Sequence, residues 1–132
     1  MIQIIKRVIA MEDKELMLIP KVERYIQYML EVMIKLPRTE KFSIGNEYKL
    51  SMYEILKQAV YIPKIDASKR LYYIQKIDAE LVLERIFLRL MLKNRWIDEK
   101  KFKVAIELVY EIGKIVGGLI KYYAKNNKKW IW

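Results

Sequence analysis

One stripe of apolar residues near the end of the chain limits the fold more than any other sequence feature. Its members recur at alternating intervals of three and four residues, which is the period of one helix face. Asp98 precedes the stripe as a candidate N-cap, and Glu99 adds a carboxylate to the first turn, where the helix dipole favours it. A stripe this regular predicts near-parallel packing against other helices. The stripe consists of Phe102, Ala105, Val109, Ile112, Val116, Leu119 and Tyr123.

Three earlier segments have the same period and end at residues that stop helices. The first has Pro20 in its predicted first turn and ends before Pro37. The second begins after Ser43, a candidate N-cap, and stops at Pro63, while the third ends near Lys93. Because the connections are short, neighbouring helices are predicted to run antiparallel. The sequence therefore predicts an all-α fold, an up-down-up-down antiparallel four-helix bundle.

The domain organisation predicted from these segments has three parts. The bundle occupies residues 20–124, and residues 125–132 form a basic and aromatic tail. Residues 1–19 are an extension for which the sequence period leaves a strand, a short helix and a flexible arm open. The third segment is apolar on more than one face between Leu81 and Leu92, which predicts that it packs against something besides its own bundle.

The composition removes most enzyme chemistry. The chain has neither Cys nor His, and it lacks the glycine-rich loops that bind phosphates. Three carboxylates, Asp78, Glu80 and Glu84, are spaced to share part of a helix surface, where salt bridges to Lys76 and Arg85 are the favoured interpretation. The sequence therefore predicts no catalytic residue, no metal site and no cofactor.

Uncharged stretches are too short for a membrane span, since the longest have six residues and a spanning helix needs about 20. Lys6 and Arg7 lie within the first apolar stretch rather than before it, which does not fit a signal peptide. We expect a cytoplasmic protein that has no membrane partner.

Positive charge is concentrated in the second half of the chain. The formal net charge is +10, of which residues 67–132 contribute +8, and no acidic residue follows Glu111. Such an excess predicts a polyanionic partner, while the plainer interpretation is solubility alone.

Several basic residues are candidates for contact with nucleic acid or a protein partner. Arg85, Arg89 and Lys93 are spaced by four residues, so they form a row that suits successive phosphates. A solvated face paired with Glu84 is the alternative for this row. The candidates are Arg38, Lys41, Arg70, Arg85, Arg89, Lys93, Lys114 and Lys121.

Three glycines interrupt the last helical pattern, and each costs about 0.5–1 kcal/mol relative to Ala in a helix interior. Close approach of a neighbouring backbone is the favoured compensation, and a helix that ends at Gly117 is the alternative. The predicted helix-packing residues are Gly113, Gly117 and Gly118.

Aromatic residues alternate with lysines near the C-terminus, an arrangement that suits single-stranded nucleic acid. For Tyr122, Trp130 and Trp132, base stacking and packing or subunit contact are both open.

Two of these segments resemble motifs of a known family. The sequence LPRTEKFSIG at positions 36–45 is similar to a pattern of aromatic-Pro-Arg, two spacers, a basic residue, an aromatic residue and Thr-Leu-Gly. The sequence EIGKIVGGLIK at positions 111–121 is similar to Glu-Ile-Gly-Arg-x-x-Gly-Gly-Trp-x-Lys, and Arg85 with LRL at 88–90 resembles the core of the family's third helix. These are motifs of the accessory variability determinant proteins of diversity-generating retroelements, relatives of the bundle proteins encoded in ribosomal RNA intervening sequences.

The resemblance covers roughly residues 20–124 and implies a homopentameric barrel of four-helix protomers, encoded by a bacterium or phage. It implies that the protein binds the retroelement's reverse transcriptase and its template RNA during error-prone cDNA synthesis, with DNA or an RNA–DNA hybrid as further nucleic-acid partners. A self-assembling structural protein of the intervening-sequence type, without a polymerase partner, is the alternative. Leu36, Ser43 and Leu119 depart from the family's aromatic, Thr and Trp. The matching basic positions are Arg38, Lys41, Arg85, Arg89, Lys114 and Lys121.

Overall fold

The computed structural model describes the backbone of residues 1–130 and the side chains of residues 1–7, 9 and 13–126. Every regular element of residues 1–130 is helical, which confirms the predicted all-α class. None of the helices described is both long and apolar enough to cross a membrane. The helices are α1 (Ile2–Met33), α2 (Arg38–Lys41), α3 (Ile44–Tyr61), α4 (Arg70–Lys93) and α5 (Glu99–Trp130), with 3-10 turns at Ile62–Lys64 and Ala67–Lys69 between α3 and α4.

The four long helices enclose one apolar core. Helix α5 packs against α1 and α4, and α3 packs against the same two helices. Contacts between α1 and α5 follow opposite chain directions, because Glu15 meets Tyr123 whereas Lys21 meets Glu111. Six of the seven residues of the predicted α5 stripe are buried, and Phe102 is half-buried. The apolar period therefore identified the face that α5 buries.

The connection between α4 and α5 has the hydrogen bonds of a Schellman motif. The amide of Trp96 donates to the carbonyl of Met91 at 2.9 Å, and the amide of Arg95 donates to Leu92 at 3.0 Å. Arg95 occupies the left-handed position, with a φ of 60°, where glycine is usual. Asp98 then caps α5, as predicted, since its Oδ1 accepts the amide of Lys101 at 2.8 Å.

Ser43 precedes α3 as predicted, but its hydroxyl does not cap the helix. It donates instead to the Thr39 carbonyl at 3.3 Å and to Glu40 Oε2 at 3.1 Å. The Ser43 carbonyl accepts the amide of Glu47 at 3.3 Å, so the backbone of this residue, and not its hydroxyl, satisfies an amide of α3.

The first helix begins much earlier than the sequence predicted. Pro20 was predicted in the first turn, but it lies inside α1, which starts at Ile2. Proline removes one helical hydrogen bond and costs about 3 kcal/mol in a helix interior. Residues before it are nevertheless tied to the core, because Leu18 is fully buried and Glu15 contacts α4 and α5. This packing offsets the cost, and residues 2–19 continue the helix.

A buried polar cluster joins three helices at the centre of the core. The Tyr25 hydroxyl of α1 donates to Glu84 Oε1 of α4 at 3.0 Å and is also hydrogen-bonded to the Tyr48 hydroxyl of α3. Glu84 is fully buried, and its Oε2 has no hydrogen-bond partner. The predicted surface salt bridge for Glu84 is therefore wrong, because its helix turns this carboxyl into the core.

The environment of Glu84 favours its neutral form. Burial raises the pKa of this carboxyl to about 8, and the hydrogen bond from Tyr25 lowers it only in part. Its neighbour Glu80 is also not paired as predicted, since it accepts a hydrogen bond from Ser51 at 2.6 Å. The buried surroundings of Glu84 therefore favour protonation of its carboxyl over ionisation.

We expect the Glu84→Gln variant to lose a pH dependence of stability that the native chain has. The folded-state pKa of Glu84 lies above its unfolded value of 4.5, so its stabilising contribution is complete below that value. It is lost as pH rises towards 8, at about 1.4 kcal/mol per pH unit. Urea denaturation between pH 5 and 9 measures this, with Glu23→Gln, a change at an exposed carboxylate of α1, as the control. Parallel pH profiles for the native chain and Glu84→Gln would contradict the prediction.

Candidate nucleic-acid interface

The face of α5 that points away from the core carries a stripe of lysines. Tyr110, Lys114, Gly117, Lys121 and Lys125 recur at intervals of four and three residues, and we call them the α5 outer stripe. Its four side chains are exposed, and the stripe extends for about 22 Å along the helix. Lys114 Nζ lies 4.8 Å from the centre of the Tyr110 ring, within range of a cation–π interaction. The stripe therefore presents cations beside an accessible aromatic ring.

The row predicted on α4 turns partly towards the protein. Arg89 and Lys93 are exposed, whereas Arg85 is half-buried and its Nε donates to the Leu81 carbonyl at 3.3 Å. Each step of four residues turns by about 40° around a helix of 3.6 residues per turn, so Arg85 lies nearest the buried face and Lys93 farthest from it. The structure leaves Arg89 and Lys93 as the members open to a ligand.

Further basic residues surround the α4–α5 connection. Lys35, Arg95 and Lys101 line a groove of about 600 Å³ with the half-buried ring of Trp96. Lys93 lies just before this connection, and the predicted residues Arg38 and Lys41 lie on α2, which follows shortly after Lys35. Asp98 and Glu99 also line the groove, so its charge is mixed.

Arg70 is placed differently from the other predicted contacts. Its guanidinium donates to the Ile65 carbonyl at 2.8 Å, to Tyr123 Oη at 3.0 Å and to Glu15 Oε2 at 3.4 Å. Its side chain is 19% exposed, and that of Glu15 is 3% exposed. Contact of Arg70 with nucleic acid stays a prediction, and within the chain a buried carboxylate already holds its guanidinium.

The hydroxyl of Tyr123 completes this second polar cluster by donating to Glu15. Burial, together with this hydrogen bond, raises the pKa of Tyr123 to about 12. The cluster joins α1, α4 and α5 at the end of the molecule where α3 turns into α4.

The exposed basic groups are largely uncompensated. Among the described side chains only two ion pairs form, Lys21 with Glu111 and Arg70 with Glu15. Neither pair includes a residue of the α5 outer stripe. The positive charge of this stripe is therefore directed at solvent.

The three glycines of α5 do not serve the packing that the sequence predicted. A Cβ atom at Gly113 or Gly117 would meet no atom within 4 Å in the described part of the chain, and one at Gly118 would meet only Lys14 Nζ, at 3.7 Å. The predicted close approach of a backbone is wrong within this chain, because the glycines lie beside or opposite the core stripe. The alternative of a helix end at Gly117 is also excluded, since α5 continues to Trp130.

Helix α4 has an apolar face turned away from the core. Val82, Ile86 and Leu90 are spaced by four residues, and each is about 40% exposed or more. Leu83 is similarly exposed on the same side of the helix. We call these four residues the α4 outer face. This second apolar face agrees with the sequence pattern, in which the segment between Leu81 and Leu92 is apolar on more than one side.

Sequence patterns missed part of this surface. Tyr110, Lys125 and the groove residues Lys35, Arg95 and Lys101 were not singled out. The heptad period contained the signal for the first two, because positions opposite the core stripe are fixed once that stripe is known. Tyr122 is half-buried against the Tyr123 ring, with centroids 5.0 Å apart, which favours packing over base stacking. The side chain of Trp130 and the whole of Trp132 lie outside the described residues.

Comparison with known proteins gives a family match over most of the chain. The family model described as bAvd-like matches residues 16–123. No curated protein matches the chain. The matched region begins inside α1 and ends at Tyr123, so it contains the core stripes and the three glycines and leaves out the first 15 residues.

We expect Gly113→Ala together with Gly117→Ala to stabilise the chain. Nothing in the described structure obstructs either methyl group, and each substitution removes about 0.5–1 kcal/mol of unfavourable backbone entropy. Urea denaturation measures the free energy of unfolding. Gly45→Ala is the control with the opposite sign, because its Cβ would lie 2.9 Å from the Glu40 carbonyl oxygen. Loss of stability in the double variant would show that the glycines do pack closely.

Proposed function

The chain belongs to the bAvd-like family, and we propose that it is the nucleic-acid-binding accessory subunit of a diversity-generating retroelement. The family is one of accessory, non-catalytic proteins. In this role the chain has no enzymatic activity of its own and contributes charge and position, while a reverse transcriptase carries out cDNA synthesis. RNA, or an RNA–DNA hybrid, is the proposed polyanion.

The α5 outer stripe is the observation that carries this proposal. Its three lysines are exposed and unpaired in the described structure, and they follow one helix face over a length that covers several phosphates. Gly117 lies between Lys114 and Lys121, where the absence of a side chain leaves room for a nucleic-acid backbone. The exposed Tyr110 ring provides a surface on which a base can stack.

Arg89 and Lys93 on α4, with Arg38 and Lys41 on α2, form a second proposed contact region near the α4–α5 connection. These residues lie far along the helix axis from Lys114 and Lys121. We assign them to a more distant part of the same nucleic acid or to the polymerase.

The proposed assembly is a homopentamer of antiparallel four-helix protomers. The opposite chain directions of α1 and α5 and the mutual contacts of the four long helices support the protomer. The α4 outer face supports the assembly, because an exposed row of large apolar side chains gains free energy when another surface covers it.

A structural protein of the intervening-sequence type is the competing proposal. It would assemble in the same way but would have no polymerase partner. An adjacent reverse transcriptase gene and a repeat pair favour the retroelement role, whereas a ribosomal RNA locus favours the alternative.

We expect RNA binding to weaken with salt and to do so less steeply after Lys114, Lys121 and Lys125 are changed to Gln. Each lost phosphate contact lowers the slope of log affinity against log salt by about 0.7–0.9, so the triple variant should lose about two units. Fluorescence anisotropy with a labelled RNA measures the slope. The control variant removes the same charge from exposed positions outside the stripe, by changing Lys57, Lys64 and Lys69 to Gln. Equal slopes for the two triple variants would remove the stripe as the binding site.

We expect Val82→Glu with Ile86→Glu to prevent assembly, because carboxylates buried in a subunit contact cost several kcal/mol. Sedimentation should show the 16.0 kDa chain in place of the oligomer. Val60→Glu with Tyr61→Glu alters equally exposed residues of α3 and should leave the mass unchanged. An unaltered mass in the α4 variant would place the subunit contact elsewhere.

A further inference from the structure

The beginning of α1 carries a second apolar stripe that the core does not use. Ile2, Ile5, Ile9 and Leu16 follow intervals of three, four and seven residues, so they share one helix face. Each of the four side chains is more than half exposed. Nine residues, or two and a half turns, separate Ile9 from the buried Leu18, which places the two on opposite sides of the helix. We call these four residues the α1 outer stripe.

This stripe lies almost entirely outside the region that the family model matches. The family match begins at residue 16, whereas three of the four residues precede it. The stripe is also distinct from the α4 outer face, which belongs to another helix. The surface that covers the first half of α1 is therefore different from the subunit contact proposed for the α4 outer face.

The charges of this segment indicate what the partner is. Residues 1–16 contain the cations Lys6, Arg7 and Lys14 and the anions Glu12 and Asp13, whereas Glu15 is buried against Arg70. The segment therefore has a small net side-chain charge. The whole chain carries +10. Two copies that approach elsewhere repel each other, but at this segment they meet with little repulsion.

The order of the charges selects an antiparallel arrangement. Lys6 and Asp13 are seven residues apart, so they flank the α1 outer stripe on the same side. In an antiparallel pair, Lys6 of each copy comes close to Asp13 of the other, and the isoleucines of the two stripes face each other. A parallel pair would bring like charges together. A membrane-surface helix, in contrast, has an excess of cations on its polar face, which this segment lacks.

We propose that residues 2–16 of α1 pair antiparallel with the same residues of a second copy of this chain. The pair buries both α1 outer stripes and joins two protomers, or two oligomers where the α4 outer face has already assembled them. Because the contact is about 22 Å long and involves one helix from each copy, it is small and depends on protein concentration.

Sedimentation of the full chain with Ile5→Glu and Ile9→Glu tests the proposal. Both side chains are exposed, so we expect the helical circular dichroism signal to be retained and the mass at high concentration to fall twofold. Ile34→Glu with Phe42→Glu is the control, since it alters two exposed apolar residues outside this stripe by the same charge and should leave the mass unchanged. An unchanged mass in the Ile5 and Ile9 variant overturns the proposal, whatever the outcome for the α4 outer face.

Disulfide formation tests the antiparallel arrangement directly, because the native chain has no cysteine. A mixture of Lys6→Cys and Asp13→Cys chains should cross-link at least several-fold faster than either variant alone. Faster linkage of Lys6→Cys with itself would indicate a parallel pair and overturn the arrangement. Binding of the native chain to phosphatidylcholine–phosphatidylserine vesicles, lost in the Ile5 and Ile9 variant without a change of mass, would assign the stripe to a membrane surface instead.

Discussion

The unbroken core stripe of α5 is the constraint on which the rest of the structure depends. A helix of 32 residues that buries one continuous face against two neighbours must direct every other side chain to its flanks or to the opposite side. Three lysines beyond Glu111, namely Lys114, Lys121 and Lys125, are excluded from the buried face by the cost of desolvating a charge. They consequently collect on the opposite side, and the same pattern that makes the core also makes the basic surface.

Two buried polar clusters set how the helices are aligned around that stripe. The cluster of Tyr25, Tyr48 and Glu84 links α1, α3 and α4, and the cluster of Glu15, Arg70 and Tyr123 links α1, α4 and α5. Apolar contacts alone tolerate a shift of one helix along another, since leucine and isoleucine pack in many ways. A shift of one turn would instead separate these polar groups and leave them buried without partners. We infer that the clusters specify the alignment that the apolar residues stabilise.

The sequence predicted the features that follow from helical periodicity, such as the core positions. It did not predict features that depend on one side chain and a partner distant in sequence. The core positions of α1, α3 and α5 follow from spacing, and the Asp98 cap follows from its place before the stripe. Glu84 was assigned to the surface because carboxylates usually are, yet Tyr25 and Tyr48, which are distant in sequence, give it a buried partner. The bond between Arg70 and Glu15 was not predicted for the same reason, as the two residues lie 55 positions apart. Local patterns contain no information about such pairs, and Pro20 shows that distant packing overrides even a strong local signal.

The glycines of α5 lower the stability of the helix, and contacts within the described protomer give no reason for them. Each lowers helix stability, and at Gly113 and Gly117 no described neighbour comes close enough to compensate. Gly45 provides the contrast, because there a carbonyl oxygen leaves no room for a side chain. The described contacts do not offset this cost at Gly113 and Gly117, and the nucleic acid proposed above is a source of compensation from outside the protomer. Gly117 lies on the same face as Lys114 and Lys121, so a ligand that the lysines attract is the one that would approach this backbone most closely.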